Sequence, residues 1–131
     1  MRAIDTNVLV RALVQDDPAQ AARARALLNG PAIYVPVTVI LELEWVLRSR
    51  YGFAPKAVAA ALEMLVSLEN AVVGEQAAVI AAARKVQAGW DFADALHHAL
   101  ATGCEAFMTF DAPLIRRARR DATLAPRVES A

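Results

Sequence analysis

Short apolar runs alternate with longer helix-forming segments along the whole chain, and that alternation leaves few architectures open. Arg2–Ile4, Ile33–Val35, Ala71–Val73 and Ala106–Phe110 read as strands, and Arg127–Glu129 can add an edge strand. Between them lie helical stretches with recognisable ends. Asp5 or Thr6 can cap a helix running to about Val14. Asp17-Pro18 is a cap followed by proline at the first helical position, and that helix should reach Asn29, where Gly30-Pro31 stops it. Further helices are expected from Val37 to about Arg50, from Pro55 to about Leu68 and from Glu75 to Ala88, the last closed by Gly89. Asp91 caps Phe92–Thr102, which Gly103 closes, and Asp111 caps a final arginine-rich helix. Strands joined by helical crossovers run parallel, and a parallel sheet needs helices on both faces. The expected fold is therefore one α/β domain over residues 1–131, with a central parallel sheet of four to five short strands.

In such sheets ligands bind outside the carboxyl ends of the strands. Asp5 and Asp111 fall at two such ends. Asp is also a favoured helix N-cap, so capping and metal binding both remain open for each of them. Glu42 stands in the apolar run Val-Thr-Val-Ile-Leu-Glu-Leu-Glu-Trp-Val-Leu with no cation three or four residues away. Glu44 has Arg48 four residues on, the favourable order for a helical ion pair, and reads as the surface member of such a pair. Glu42, lacking a local partner, needs compensation from elsewhere, and a divalent cation is a good source. Asp94 follows Asp91 as the third helical position of a capping box, on a wheel whose core stripe is Phe92, Ala93, Leu96, Ala99 and Leu100.

The other chemical candidates have plainer readings. His97 and His98 fall on the polar side of their helix and belong to no HExxH arrangement, so solvated histidines are expected. Trp45 and Trp90 read as core or interface packing rather than as base-stacking platforms. Arg116, Arg117, Arg119 and Arg120 form either a solvated helix face or a guide for a phosphate backbone. The formal net charge of zero gives no bulk electrostatic support to nucleic-acid binding. Cys104 is the only cysteine, which excludes an intrachain disulfide and a cysteine-based zinc cluster, and it is expected to pack as a small apolar residue near a strand. Arg2, Asp5 and Arg11 are wrong for a signal peptide, and no uncharged run reaches membrane-spanning length. A soluble cytoplasmic protein without membrane contact is the expectation.

Taken together, the acids and their settings resemble those of the PIN-domain ribonucleases, and within them the VapC-type toxins. Asp5-Thr6-Asn7-Val8-Leu9 resembles the family's opening motif. Glu42 in Leu-Glu-Leu-Glu-Trp-Val-Leu resembles its second acid, Asp94 in Asp-Phe-Ala-Asp-Ala-Leu its third, and Thr109-Phe110-Asp111 its fourth. Asn7, Asp91 and Thr109, with Thr6, correspond to polar residues bordering the site. The resemblance implies a PIN-like fold and Mg²⁺- or Mn²⁺-dependent cleavage of RNA phosphodiester bonds, with Asp5, Glu42, Asp94 and Asp111 as metal-binding catalytic acids. It also implies products with a 5′-phosphate and a 3′-hydroxyl, a homodimer, and a cognate antitoxin covering the active-site groove. Arg116 and Arg117 are the candidate RNA contacts. Two other classes compete. A receiver-like Mg²⁺-binding module wants adjacent acids after the first strand and a lysine near the last, and here the only lysines are Lys56 and Lys85, in helical stretches. A non-catalytic PIN-like interaction module would not need the acids to be intact.

Overall fold

A computed structural model describes residues 1–131, and its elements follow the expected order. They are β1 (Arg2–Ala3), α1 (Thr6–Val14), α2 (Pro18–Leu28), β2 (Ile33–Val35), α3 (Val37–Ser49), α4 (Pro55–Ser67), β3 (Ala71–Val73), α5 (Gln76–Gln87), α6 (Phe92–Leu100), β4 (Ala106–Thr109), α7 (Ala112–Ala118) and β5 (Arg127–Ser130). The punctuation works as its chemistry dictates. Asp17 accepts a hydrogen bond from the Gln20 amide at 3.1 Å while Pro18 occupies the first turn of α2. Gly89 closes α5 at a φ of +96°, a conformation that a β-carbon would strain.

All strand pairs are parallel. They form two ladders, β1-β2-β3 and β4-β5, with Ala3, Tyr34 and Val72 in one row of the first and Met108 beside Glu129 in the second. Cover on the two faces of the first ladder is unequal. Ile33, Val35 and Val73 are buried, whereas Ala3, Tyr34 and Val72 stay open to solvent. Alternation in an extended chain sends successive side chains to opposite faces, so a row only three residues wide can be buried on one side and bare on the other.

The core is one cluster drawn from nearly every element, with Leu9, Val35, Ile40, Leu43, Leu47, Leu65 and Ala95 fully enclosed. In α3 the enclosed positions Ile40, Leu43 and Leu47 recur at helical spacing, and α1, α4, α5 and α6 all pack against that helix. None of the helices is long and apolar enough to cross a membrane.

Two expectations about individual side chains are corrected. Cys104 is exposed, because the strand begins only at Ala106 and Cys104, whose amide donates to the Ala101 carbonyl at 3.0 Å, still belongs to the connection leaving α6. His98 is buried at 1 % exposure, although His97 is solvated as expected. The core face of α6 is Phe92, Ala95, Leu96 and His98, and Leu100 is outside it. A helical wheel drawn from α6 alone misses the C-terminal segment, which crosses this side of the helix at Pro126. His98 Nε2 donates to the Pro126 carbonyl at 2.7 Å, and Nδ1 accepts from Lys85 Nζ at 2.9 Å. Trp90 and Phe107 flank the ring.

Burial pushes His98 below its ordinary value, the Pro126 bond opposes this, and the Lys85 charge adds to the lowering. The folded state therefore favours the neutral ring. Stability from this contact is present above the unfolded-state value of about 6.5 and is lost as pH falls below it toward the lowered folded-state value. His98→Gln should cost about 1–3 kcal/mol at pH 7.5, the range for leaving buried polar groups short of partners. The gap between variant and parent should narrow by pH 5, as thermal unfolding at the two pH values will read.

Candidate metal and nucleic-acid site

Asp5, Asp94 and Asp111 stand where a strand or loop delivers the chain into a helix, whereas Glu42 lies inside α3, and the structure distinguishes capping from other roles. Asp5 occupies the N-cap of α1, yet its side chain makes no capping hydrogen bond. Asp111 does cap α7: Oδ1 accepts from the Leu114 amide at 3.0 Å. The Asp111 amide in turn donates to Thr109 Oγ1 at 3.0 Å, which fixes the turn leaving β4. Asp91 caps α6 by accepting from the Asp94 amide at 3.1 Å. The reciprocal half of a capping box is not made, so the Asp94 carboxylate accepts no hydrogen bond from the protein. Of the four candidates, Asp5 and Asp94 are thus the two at a helix start whose carboxylates have no local partner.

Asp94 is half-buried, and its carboxyl is raised above the ordinary value, first by burial and then by the charges of Asp91 and Asp111. His97 and Arg117 oppose that shift. Asp91, Asp94 and Asp111 therefore share one electrostatic field. They also give Arg117 a different setting from Arg116. Arg117 is half-buried, lies close to Gly89 and counters the charge on Asp94, whereas Arg116 is exposed.

Glu42 and Glu44 exchange the environments read from sequence. Glu44 is buried at 4 % exposure and accepts from Arg48 Nε at 2.9 Å and Nη2 at 3.3 Å. Glu42 is exposed and has no hydrogen-bond partner. The ion pair was legible in the spacing, but the side of α3 that faces the core was not. Leu43 and Leu47 point inward, and Glu44 goes in beside them while Glu42 turns out. Glu42 therefore needs no compensation for burial. It opens instead onto a hollow of about 330 Å³ between α3 and α6, whose wall includes Ala93, the residue before Asp94.

The bordering polar residues divide. Thr6 is 4 % exposed, and its Oγ1 is the one buried side-chain polar atom without a partner. Asn7 is exposed and lines a separate hollow of about 200 Å³ between α1 and α2, together with Arg11, Gln20 and Arg23.

No three carboxylate, imidazole or thiol side chains stand close enough to share an ion directly. The donor chemistry nonetheless fits a hard cation that keeps part of its water shell, as Mg²⁺ does. Asp5 and Asp94 are uncommitted, Asp94 is held in a field of like charge, and a buried hydroxyl next to Asp5 lacks a partner. The last point is testable. Thr6→Val should stabilise the metal-free protein by about 1 kcal/mol, since an unsatisfied buried hydroxyl is removed. If that hydroxyl meets a water of the bound ion, stabilisation by Mn²⁺ should shrink in the same variant, read as the melting shift with and without the ion.

No curated protein matches the chain significantly. The PIN domain family matches residues 3–120, a span that takes in all four acids and every element from α1 to α7. The chain belongs to the PIN-domain family, whose members are typically metal-dependent nucleases.

Proposed function

We propose that this PIN domain is a Mg²⁺- or Mn²⁺-dependent endoribonuclease and the toxin of a type II toxin–antitoxin pair. The observation that carries the catalytic part is the pair of uncommitted carboxylates, Asp5 and Asp94, one at a strand end and the other facing the like charges of Asp91 and Asp111. Folding has left negative charge unneutralised beside a helix N-terminus, where a cation would relieve it. Asp5, Glu42, Asp94 and Asp111 would hold the ion largely through its coordinated waters, since no three of them stand close enough to share it directly. When bound, it supplies Lewis acidity toward a phosphodiester and lowers the pKa of a coordinated water.

The chain's own residues have separable tasks. Asp111 uses Oδ1 to cap α7 and keeps Oδ2 for the site. Thr109 holds the Asp111 backbone in place, and Arg117 moderates the charge on Asp94. Arg116, exposed on the helix that Asp111 starts, is placed to meet RNA phosphate. Without a cation, four acids would repel a polyanion, so cleavage should depend on the metal absolutely.

The partners in this reading are the RNA substrate, a second copy of the chain and an antitoxin. The bare row Ala3, Tyr34 and Val72 offers apolar surface to a second copy, and Phe110, 86 % exposed beside Asp111, offers it to a segment covering the groove. The non-catalytic alternative keeps the fold and the partners but not the chemistry.

The purified protein incubated with single-stranded RNA, duplex RNA and DNA decides between them. The expected result is internal RNA cleavage in Mg²⁺ or Mn²⁺, abolished by EDTA, restored by excess metal and leaving 5′-phosphate ends. Intact RNA under every metal condition would leave only the interaction module.

A further inference from the structure

Trp45 is half-exposed on α3 and forms part of the wall of the hollow that Glu42 opens onto. The core takes Leu43 and Leu47 and leaves the indole out, so Trp45 is not a core residue. Arg50 lies over the ring, 5.8 Å from its centroid, and is not part of the hollow's wall. The guanidinium therefore backs the indole from outside and helps hold it in place.

Arg48 lines the same hollow. The buried Glu44 carboxylate takes its Nε and Nη2, which sets the plane of the guanidinium and leaves Nη1 with no protein partner. Thr38 adds a hydroxyl, and Ala93 leads directly into Asp94. An aromatic face, a fixed planar donor and a small polar group thus converge beside Glu42, in a hollow whose wall ends one residue before Asp94. Aromatic stacking with hydrogen bonds to base edges is how proteins take up unpaired RNA bases, which a duplex keeps stacked away.

We infer that the hollow between α3 and α6, formed by Trp45, Arg48, Thr38 and Ala93, is a nucleobase subsite that seats one unpaired base of the RNA next to the cleaved phosphodiester. The inference rests on the ribonuclease reading and deepens it, because it assigns base selection to α3. Trp45 supplies the stacking surface. Arg48 supplies donors to the base edge, and its orientation depends on Glu44.

The test is binding of a fluorescein-labelled single-stranded oligoribonucleotide, followed by anisotropy with Ca²⁺ in place of Mg²⁺. A series of oligonucleotides carries one abasic nucleotide at successive positions. In the parent, the abasic substitution should weaken binding on the order of tenfold at one position and little elsewhere, as expected for loss of one stacked base. Trp45→Ala should erase that position-specific penalty, and Trp45→Phe should restore part of it. Because Trp45 is half-exposed, neither variant threatens the core.

Binding by the parent with no penalty at any position overturns the subsite alone. So does an undiminished penalty in Trp45→Ala, or a change in its oligomeric mass, which would make Trp45 a contact between copies. Failure of the parent to bind any of these RNAs overturns the subsite together with the ribonuclease reading.

Discussion

Asp5→Asn and Asp94→Asn should each lower the rate of RNA cleavage by about 100- to 1,000-fold at saturating Mg²⁺ while the protein remains folded. The size follows from the several kcal/mol that a catalytic cation contributes to phosphoryl-oxygen charge stabilisation, at about 1.4 kcal/mol per factor of ten. The folded state should survive because neither carboxylate holds any part of the protein together: Asp5 makes no capping bond and Asp94 accepts none. For Asp94 the sign of the stability change is also set. Burial and the charges of Asp91 and Asp111 raise its carboxyl in the folded state. Ionisation therefore opposes folding. The contribution from this group is favourable below the unfolded-state value of about 3.9 and is lost as pH rises through the raised folded-state value. At pH 7 the metal-free Asp94→Asn variant should melt at or above the parent, and the difference should vanish in acid. Parent-like cleavage by both folded variants would remove these residues from the site.

Glu42→Gln and Glu44→Ala should separate sharply, although the two residues are two positions apart on one helix. Glu42 is exposed and unpartnered, so its amide costs no stability. As a ligand of the ion or of its waters, however, it should carry a loss of activity of about tenfold or more, within the range for groups supporting a metal. The stabilisation conferred by Mn²⁺ should shrink with it. Glu44 is enclosed and accepts two hydrogen bonds from Arg48. Its removal should cost about 1–3 kcal/mol, the range for losing hydrogen bonds to a charged group. Arg48, half-exposed, recovers part of its solvation and limits the cost. Mn²⁺ stabilisation should be unchanged in Glu44→Ala. Thermal unfolding of both variants with and without Mn²⁺, beside an RNase assay, reads the contrast.

These two residues also mark where sequence reasoning reached its limit. The alternation of strands and helices was legible because caps, prolines and glycines act locally: Asp17-Pro18, Gly89, Asp91 and Asp111 do in the structure what their chemistry predicts. The ion pair of Glu44 with Arg48 was legible for the same reason, being four residues apart on one helix. Its burial was not, because the inward direction of α3 is set by α1, α4, α5 and α6 packing around it. His98 escaped in the same way. Its partners Lys85 and Pro126 come from another helix and from the C-terminal segment, and no periodicity within α6 reports either. For the acids, order and spacing marked Asp5, Glu42, Asp94 and Asp111. Only the structure separates the committed Asp111 from the free Asp5 and Asp94. The unpartnered hydroxyl of Thr6 had no sequence signal, since a buried threonine and an exposed one read alike.

In the proposed function, folding leaves a cation site at the strand ends, with Asp5 as one of its poles. Calorimetric titration of Mn²⁺ into the metal-free protein at pH 7 tests it without reference to any substrate. The parent should show saturable binding, and Asp5→Asn should bind at least tenfold more weakly with its fold unchanged. Equal Mn²⁺ affinity in parent and variant, or no saturable binding in the parent, would contradict it.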